Sequence, residues 1–138
     1  MPQRLFNRGG QVHMTTEYDA AQGWVYNDWI GPQDLASVIA GSEAGLALLH
    51  HHACPYLLND NRHTFEPWDY AMEWVTTQWL PRALNAGLTH YAQVIRAESP
   101  TSLSAEVLYS AIQEQVEMRV FISLQQAQAW LHQAQKMK

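Results

Sequence analysis

Apolar positions along the chain change their spacing several times, and each change marks an element. Within residues 11–19, Val12, Met14, Thr16 and Tyr18 share one parity, the two-residue repeat of a strand. Trp24–Ile30 is aromatic and β-branched and reads as a second strand. The short break between them, residues 20–23, predicts an antiparallel hairpin. Gly31-Pro32 then stops the strand and opens a helix. Leu35, Val38, Ile39, Ser42, Leu46 and Leu49 follow the 3.6-residue period, with Asp34 expected in the first turn, at the positive end of the dipole. Gly41 and Gly45 lie four apart on one helix face, as close packing against another backbone would require.

The helix is expected to end near His50, His51 and His52, with Pro55 beyond it. A short apolar strand follows at residues 56–59, and a polar loop at residues 59–64. Pro67 opens a second helix whose apolar face is Trp68, Met72, Val75 and Trp79. Tyr70 and Trp74 make a second aromatic row. A helix packed on one side needs a single apolar stripe, so this row reads as an interface or as burial on two sides. Pro81 is expected to kink or break the helix, and Gly87 to follow its end. Residues 90–96 read as a strand, 99–102 as a turn with Ser102 as N-cap, and 103–115 as a helix with Leu108, Ala111 and Ile112 on one side. Residues 119–122 read as a short strand. Ser123 and Gln126 fit a capping box before a last helix striped by Leu124, Ala127, Leu131 and Ala134. The order is β-β-α-β-α-β-α-β-α, an α/β fold with a mixed sheet. Residues 1–10 are expected to be loose and 11–136 to form a single domain.

Composition narrows the function. Hydrophobic residues make up 47% of the 138 and charged residues 15%, a globular balance. With net charge −5 and 8 Lys+Arg there is no basic stripe, which argues against nucleic acid as a partner. The start, MPQRLFNRGGQVHM, has no apolar run long enough for a secretion signal, and no stretch approaches a membrane span, so a soluble, cytoplasmic protein is expected. A lone Cys54 fits a reducing cytoplasm. The 6 Trp and 6 Tyr suggest an aromatic core, a dimer surface or an apolar pocket.

The stretch HHHACPYLLNDNRH concentrates metal-type ligands, yet adjacent histidines on a helix point about 100° apart and cannot share one ion. Helix-end histidines are the simpler account, and no metal site is expected. Cys54 lies beyond a helix C-terminus, where the dipole disfavours a thiolate, so it reads as a packed small residue. Asp60, Glu66 and Asp69 cluster near the carboxyl end of a strand, where α/β proteins often bind ligands. Each also has a structural role available, as helix cap, dipole partner or loop acceptor. There is no phosphate-binding glycine loop, nucleophile elbow or Cys-x-x-Cys. These readings point away from an enzyme, and no cofactor is expected.

The stretches YLLNDNRHTFEPWDYAMEWVTTQWLPRALNAGLTHYAQVI and FISLQQAQAWL carry a resemblance. A strand ending in Asn-Asp leads to a Trp-rich helix with W-x-P-x-A, then A-G-L and a strand. A terminal helix follows with A-x-x-W-L. Over roughly residues 11–135 this resembles the bacterial SpoIIAA-like, or STAS/SEC14-type, group. The resemblance implies a STAS-like fold and a non-enzymatic regulatory module bound by a protein partner, with homodimerisation expected. The partner-binding loop it implies is Asn59, Asp60, Asn61, Arg62, His63 and Thr64. Asp60 fits the strand-end acid of STAS domains. The serine expected after it is missing, and Thr64, the loop's only hydroxyl, lies further along, so a phospho-switch at Thr64 is the third-ranked reading. The SEC14 side implies a carrier for a small apolar molecule or lipid fragment. Trp68, Tyr70, Trp74 and Trp79 are the aromatic interface or pocket residues under either reading.

Overall fold

The computed structural model describes residues 2–64, 67–97 and 101–137. Six strands form one sheet in chain order: β1 (Gln3–Phe6), β2 (Val12–Asp19), β3 (Trp24–Ile30), β4 (Tyr56–His63), β5 (His90–Val94) and β6 (Glu117–Phe121). The first three are antiparallel, and β3 to β6 are parallel. The helices are α1 (Leu35–His51), α2 (Asp69–Trp74), α3 (Leu80–Ala86), α4 (Thr101–Ile112) and α5 (Leu124–Lys136), with a π-helical segment at Val75–Trp79 joining α2 to α3. The mixed α/β sheet and the antiparallel β2–β3 hairpin agree with the sequence expectation.

Strand parity divides the helices between the two faces. Val25, Asn27 and Trp29 point to the face covered by α1, α2, α3 and α4. Trp24 and Tyr56 point to the face where α5 packs, with His132 against Trp24 at 4.8 Å and Trp130 against His90 at 5.5 Å. The glycine pair explains the close approach of α1. A Cβ on Gly41 would lie 2.4 Å from Trp29 Cη2, and one on Gly45 would lie 2.8 Å from Asn27 Nδ2. Both glycines are space-makers for large side chains of β3.

The structure corrects several expectations. The N-terminal stretch expected to be loose holds β1, an edge strand paired from Gln3↔Thr16 to Phe6↔Val12. Only residues 7–10 turn, around the Asn7 side chain, which accepts from the amides of Gly9 and Gln11. Asp34 is the N-cap of α1 rather than part of its first turn. It accepts from Ser37 N at 2.8 Å while Ser37 Oγ accepts from Asp34 N, a reciprocal capping box. Helix α4 begins at Thr101, so Ser102 is already inside it, and Ala111 is exposed. The turn residues Ser99 and Pro100, and Glu66, lie outside the described residues.

Pro81 does not break its helix. A proline removes one N–H from the helical ladder and crowds the preceding turn. The π segment absorbs this: Leu80 N–H reaches Val75 O, five residues back. The hydroxyls of Thr76 and Thr77 donate to the carbonyls of Met72 and Glu73 at 2.9 and 2.6 Å. Gly87 then ends α3 at φ 107°, the left-handed C′ position that favours glycine.

The last correction matters for function. The polar run at residues 59–64 is mostly strand: β4 continues to His63, with Asn59, Asp60 and Asn61 buried. Its polarity suggested a loop, but each polar group has a partner on its own face of the sheet.

Candidate functional site

The carboxyl ends of β3, β4 and β5 form the most polar part of the interior. On the α1-to-α4 face, one rung of the sheet carries polar side chains on four adjacent strands. Thr16 is registered with Asn27, Asn27 with Asn59, and Asn59 with Gln93. All four are buried. Thr16 Oγ1 donates to Asn27 Oδ1 at 2.7 Å, and Asn59 Nδ2 donates to Gln93 Oε1 at 2.9 Å and to Asn61 Oδ1 at 3.0 Å. Trp29 Nε1 donates to Asn59 Oδ1 at 2.8 Å, with a longer contact of 3.4 Å from Asn27 Nδ2. The Tyr91 hydroxyl closes the row by donating to Gln93 Oε1 at 2.8 Å. An indole N–H is a donor only, so Trp29 fixes which end of the Asn59 amide faces it. Both amide hydrogens of Asn59 are then spent on Asn61 and Gln93.

Above this row lies a small cavity of about 40 Å³, lined in part by Asn59, Asn61, Gln93, Trp68, Met72 and Trp79. That volume accommodates roughly three water molecules. It is far too small for an acyl chain. Trp68 packs edge-on against Trp29 at 4.7 Å, and Trp79 edge-on against Tyr91 at 5.9 Å, so aromatic rings wall the cavity. Burial pushes the Tyr91 hydroxyl well above the ordinary phenol range, which keeps it a neutral donor.

The opposite face of the same strand ends carries charge. Asp60 is registered with Asp28 on β3, an arrangement that repels unless it is neutralised. Arg62 provides the neutralisation. Its Nε and Nη2 hold the two Asp60 oxygens at 3.0 and 2.8 Å, and its backbone N–H donates to Oδ1 at 3.0 Å. Tyr26 Oη adds a bond to Oδ2 at 2.7 Å. Burial pushes the Asp60 carboxyl up, but the Arg62 and Tyr26 hydrogen bonds outweigh it and leave its pKa below the usual value. Tyr26 is held well above its usual range by burial and by its bond to Asp60. Asp28 is raised, mainly by burial, against the opposing hydrogen bond of His63 at 3.0 Å.

Asp28, Asp60 and His63 offer ligand atoms within 4.8 Å of one another, the spacing of a metal site. The donor chemistry does not fit a cation, because the Arg62 guanidinium already engages both oxygens of Asp60. The other histidines of the HHHACPYLLNDNRH stretch and Cys54 lie elsewhere, in the structural roles expected of them. His50 and His51 occupy the last turn of α1, and His52 caps it, its ring stacked on Tyr18 at 4.0 Å. Cys54 is buried, its thiol 3.3 Å from the Tyr56 carbonyl.

The six residues predicted as a loop therefore divide by parity. Asn59 and Asn61 join the amide row, while Asp60 and Arg62 pair on the other face. His63 is exposed and bound to Asp28. Thr64 is buried, and both its N–H and its hydroxyl donate to Asn61 O, so the hydroxyl is turned inward. Of the aromatic residues, Trp68 and Trp79 are buried at the cavity, Trp74 is half-buried against the core, and Tyr70 is 44% exposed. Sequence reasoning missed Tyr26, Asn27, Asp28, Trp29, Tyr91 and Gln93. The signal for two of them was present, since Asn27 and Gln93 share the inward parity of Val25 and Tyr91.

No protein-family model and no curated protein sequence matches the chain. Among solved structures, the chain is similar to the crystal structure of an anti-sigma factor antagonist from Mycobacterium paratuberculosis. The match covers 92% of this chain and 98% of that one, with a TM-score of 0.58 and 14% sequence identity. At that identity the likeness concerns the fold, which is of the STAS/SpoIIAA type expected from the resemblance.

Proposed function

We propose that this chain is a regulatory module that acts by binding a protein partner and carries out no chemistry of its own. The observation that supports this most is the commitment of the polar groups at the strand ends. Asp60 is saturated by Arg62 and Tyr26, Asp28 holds His63, and the amides hold one another. A general acid or base must exchange its proton with a substrate, and a locked carboxylate is badly placed for that. The framework is suited to fixing the end of β4 and the inward-turned Thr64, which lie ahead of α2 in the chain. Tyr70, in the first turn of α2, presents a partly exposed aromatic ring. Exposed tyrosines are favoured anchors of protein interfaces.

The shared fold supports a reading of the partner's class. The similar solved structure is named as an antagonist of an anti-sigma factor, and we take a protein of that regulatory type as the partner here. Thr64 is buried with its hydroxyl bonded inward, so the module works without a phosphoryl switch at this turn. The SEC14-like carrier reading lacks support from the cavity, whose volume is about 40 Å³.

The test is site-specific cross-linking in the native cell. A photo-reactive phenylalanine analogue replaces Tyr70, with exposed Gln125 on α5 as the control position. The proposal expects a covalent adduct from position 70 containing a regulatory protein of the anti-sigma type. Adducts of equal yield from both positions, or none from position 70, would contradict it.

A further inference from the structure

We propose that the outer edge of β6 is a homodimer interface, in which β6 pairs antiparallel with β6 of a second copy in a register centred on Met118. The inference is independent of the partner-binding surface at Tyr70.

Among the described residues, strand β6 ends the sheet and pairs with β5 alone. Two backbone bonds fix its direction of presentation. Glu117 N donates to Thr89 O at 2.9 Å, and Ile95 N donates to Phe121 O at 2.8 Å. Residues 117, 119 and 121 therefore turn their backbone groups inward to β5. By alternation, Met118 and Val120 turn theirs outward to the open edge. The apolar residues near this edge are unusually exposed: Val120 at 37%, Ile122 at 63%, and on α4 Val107 at 52% and Tyr109 at 39%.

The occupant follows from self-complementarity. In an antiparallel pair made through a two-fold axis, outward-facing residues must meet outward-facing residues. That leaves registers centred on Met118, Arg119 or Val120. Centring on Arg119 places two arginines directly opposite each other. Centring on Val120 places Arg119 opposite Phe121 and leaves Glu117 without a charged partner. Centring on Met118 places Glu117 opposite Arg119 of the second copy, and Arg119 opposite its Glu117. Both side chains lie on the α5 face by parity, and Arg119 is already held there over the Trp130 ring at 5.6 Å. These opposed pairs fall at the non-hydrogen-bonded positions of the ladder, where cross-strand side chains come closest. A second copy thus meets matched charge on both sides of a backbone-paired Met118 at the centre.

Charged edge residues also serve to keep sheets apart, and the experiment separates the two roles. Sedimentation velocity of the untagged full chain is measured at low salt, up to about 100 µM. The proposal expects a dimer for the wild type. It expects Arg119→Glu and Glu117→Arg each to raise the dissociation constant about tenfold or more, because each sets like charges opposite. The double variant Glu117→Arg/Arg119→Glu restores both pairs and the dimer. Val120→Pro removes an outward N–H, which an edge strand tolerates, and is expected to give a folded monomer by circular dichroism. A monomeric wild type throughout this range, or a dimer that both single charge swaps leave intact, would overturn the proposal.

Discussion

Trp29 Nε1 donates to Asn59 Oδ1 at 2.8 Å, and this bond orients the central amide of a polar row crossing four strands. The indole cannot accept, so Asn59 must turn its oxygen to Trp29 and its nitrogen to Gln93. Replacing Asn59 by Asp removes both donated hydrogens and introduces a buried charge. We expect Asn59→Asp to cost about 3 kcal/mol or more at neutral pH, with partial recovery in acid as the carboxyl takes up a proton. Urea unfolding at two pH values checks this.

Helix α1 packs through its glycines. Alanine is the better helix former by about 1 kcal/mol, so propensity alone favours Gly41→Ala. The added methyl would meet Trp29 at 2.4 Å, and overpacking of this kind costs about 1–3 kcal/mol. The expected outcome is net destabilisation, seen as a lower denaturation midpoint with an unchanged m-value.

Asp60 and Arg62 make the acid response. The pKa of Asp60 is lowered in the folded chain, so its contribution is complete above the unfolded carboxylate value. It is lost as pH falls through the lower folded value. Asp28, raised mainly by burial, works in the opposite sense and loses its contribution as pH rises through its folded value. Arg62→Ala strands the buried Asp60 charge. With the Arg62 side chain about one-third exposed, we expect a loss of about 1–3 kcal/mol at neutral pH and a flatter acid limb. Stability measured from about pH 2 to 6 reads both effects.

His90 predicts a second pH dependence. Burial lowers its pKa, which means that the unfolded chain binds the proton more readily than the folded one. Stability is therefore expected to rise with pH just below the ordinary imidazole value of about 6.5 and to level off above it. His90→Gln should remove that slope, as thermal melts across the window would show.

Much of the fold was legible because parity and helical period survive in a single sequence. Met14 and Thr16 face α1 as their spacing implied, and Trp68, Met72, Val75 and Trp79 form one buried helix face. The candidate site was less legible, for a physical reason. A polar run reads as a loop when its partners are unknown, and the partners of Asn59 and Asp60 lie 34 residues away, at Gln93 and Tyr26. The π segment was hidden in the same way: Pro81 signals a break, while the Leu80 N–H to Val75 O bond that carries the helix on gives no signal of its own. Strand β1 was missed because Gly9 and Gly10 dominated the reading of its neighbourhood.

The central claim is that a rigid polar framework presents the start of α2 to a protein partner. The most direct measurement is calorimetric titration of the cross-linked partner, once purified, with wild-type and Tyr70→Ala chains. The account predicts a dissociation constant raised about tenfold or more, with circular dichroism checking that the Tyr70→Ala chain stays folded. Equal affinity of the two chains would contradict it.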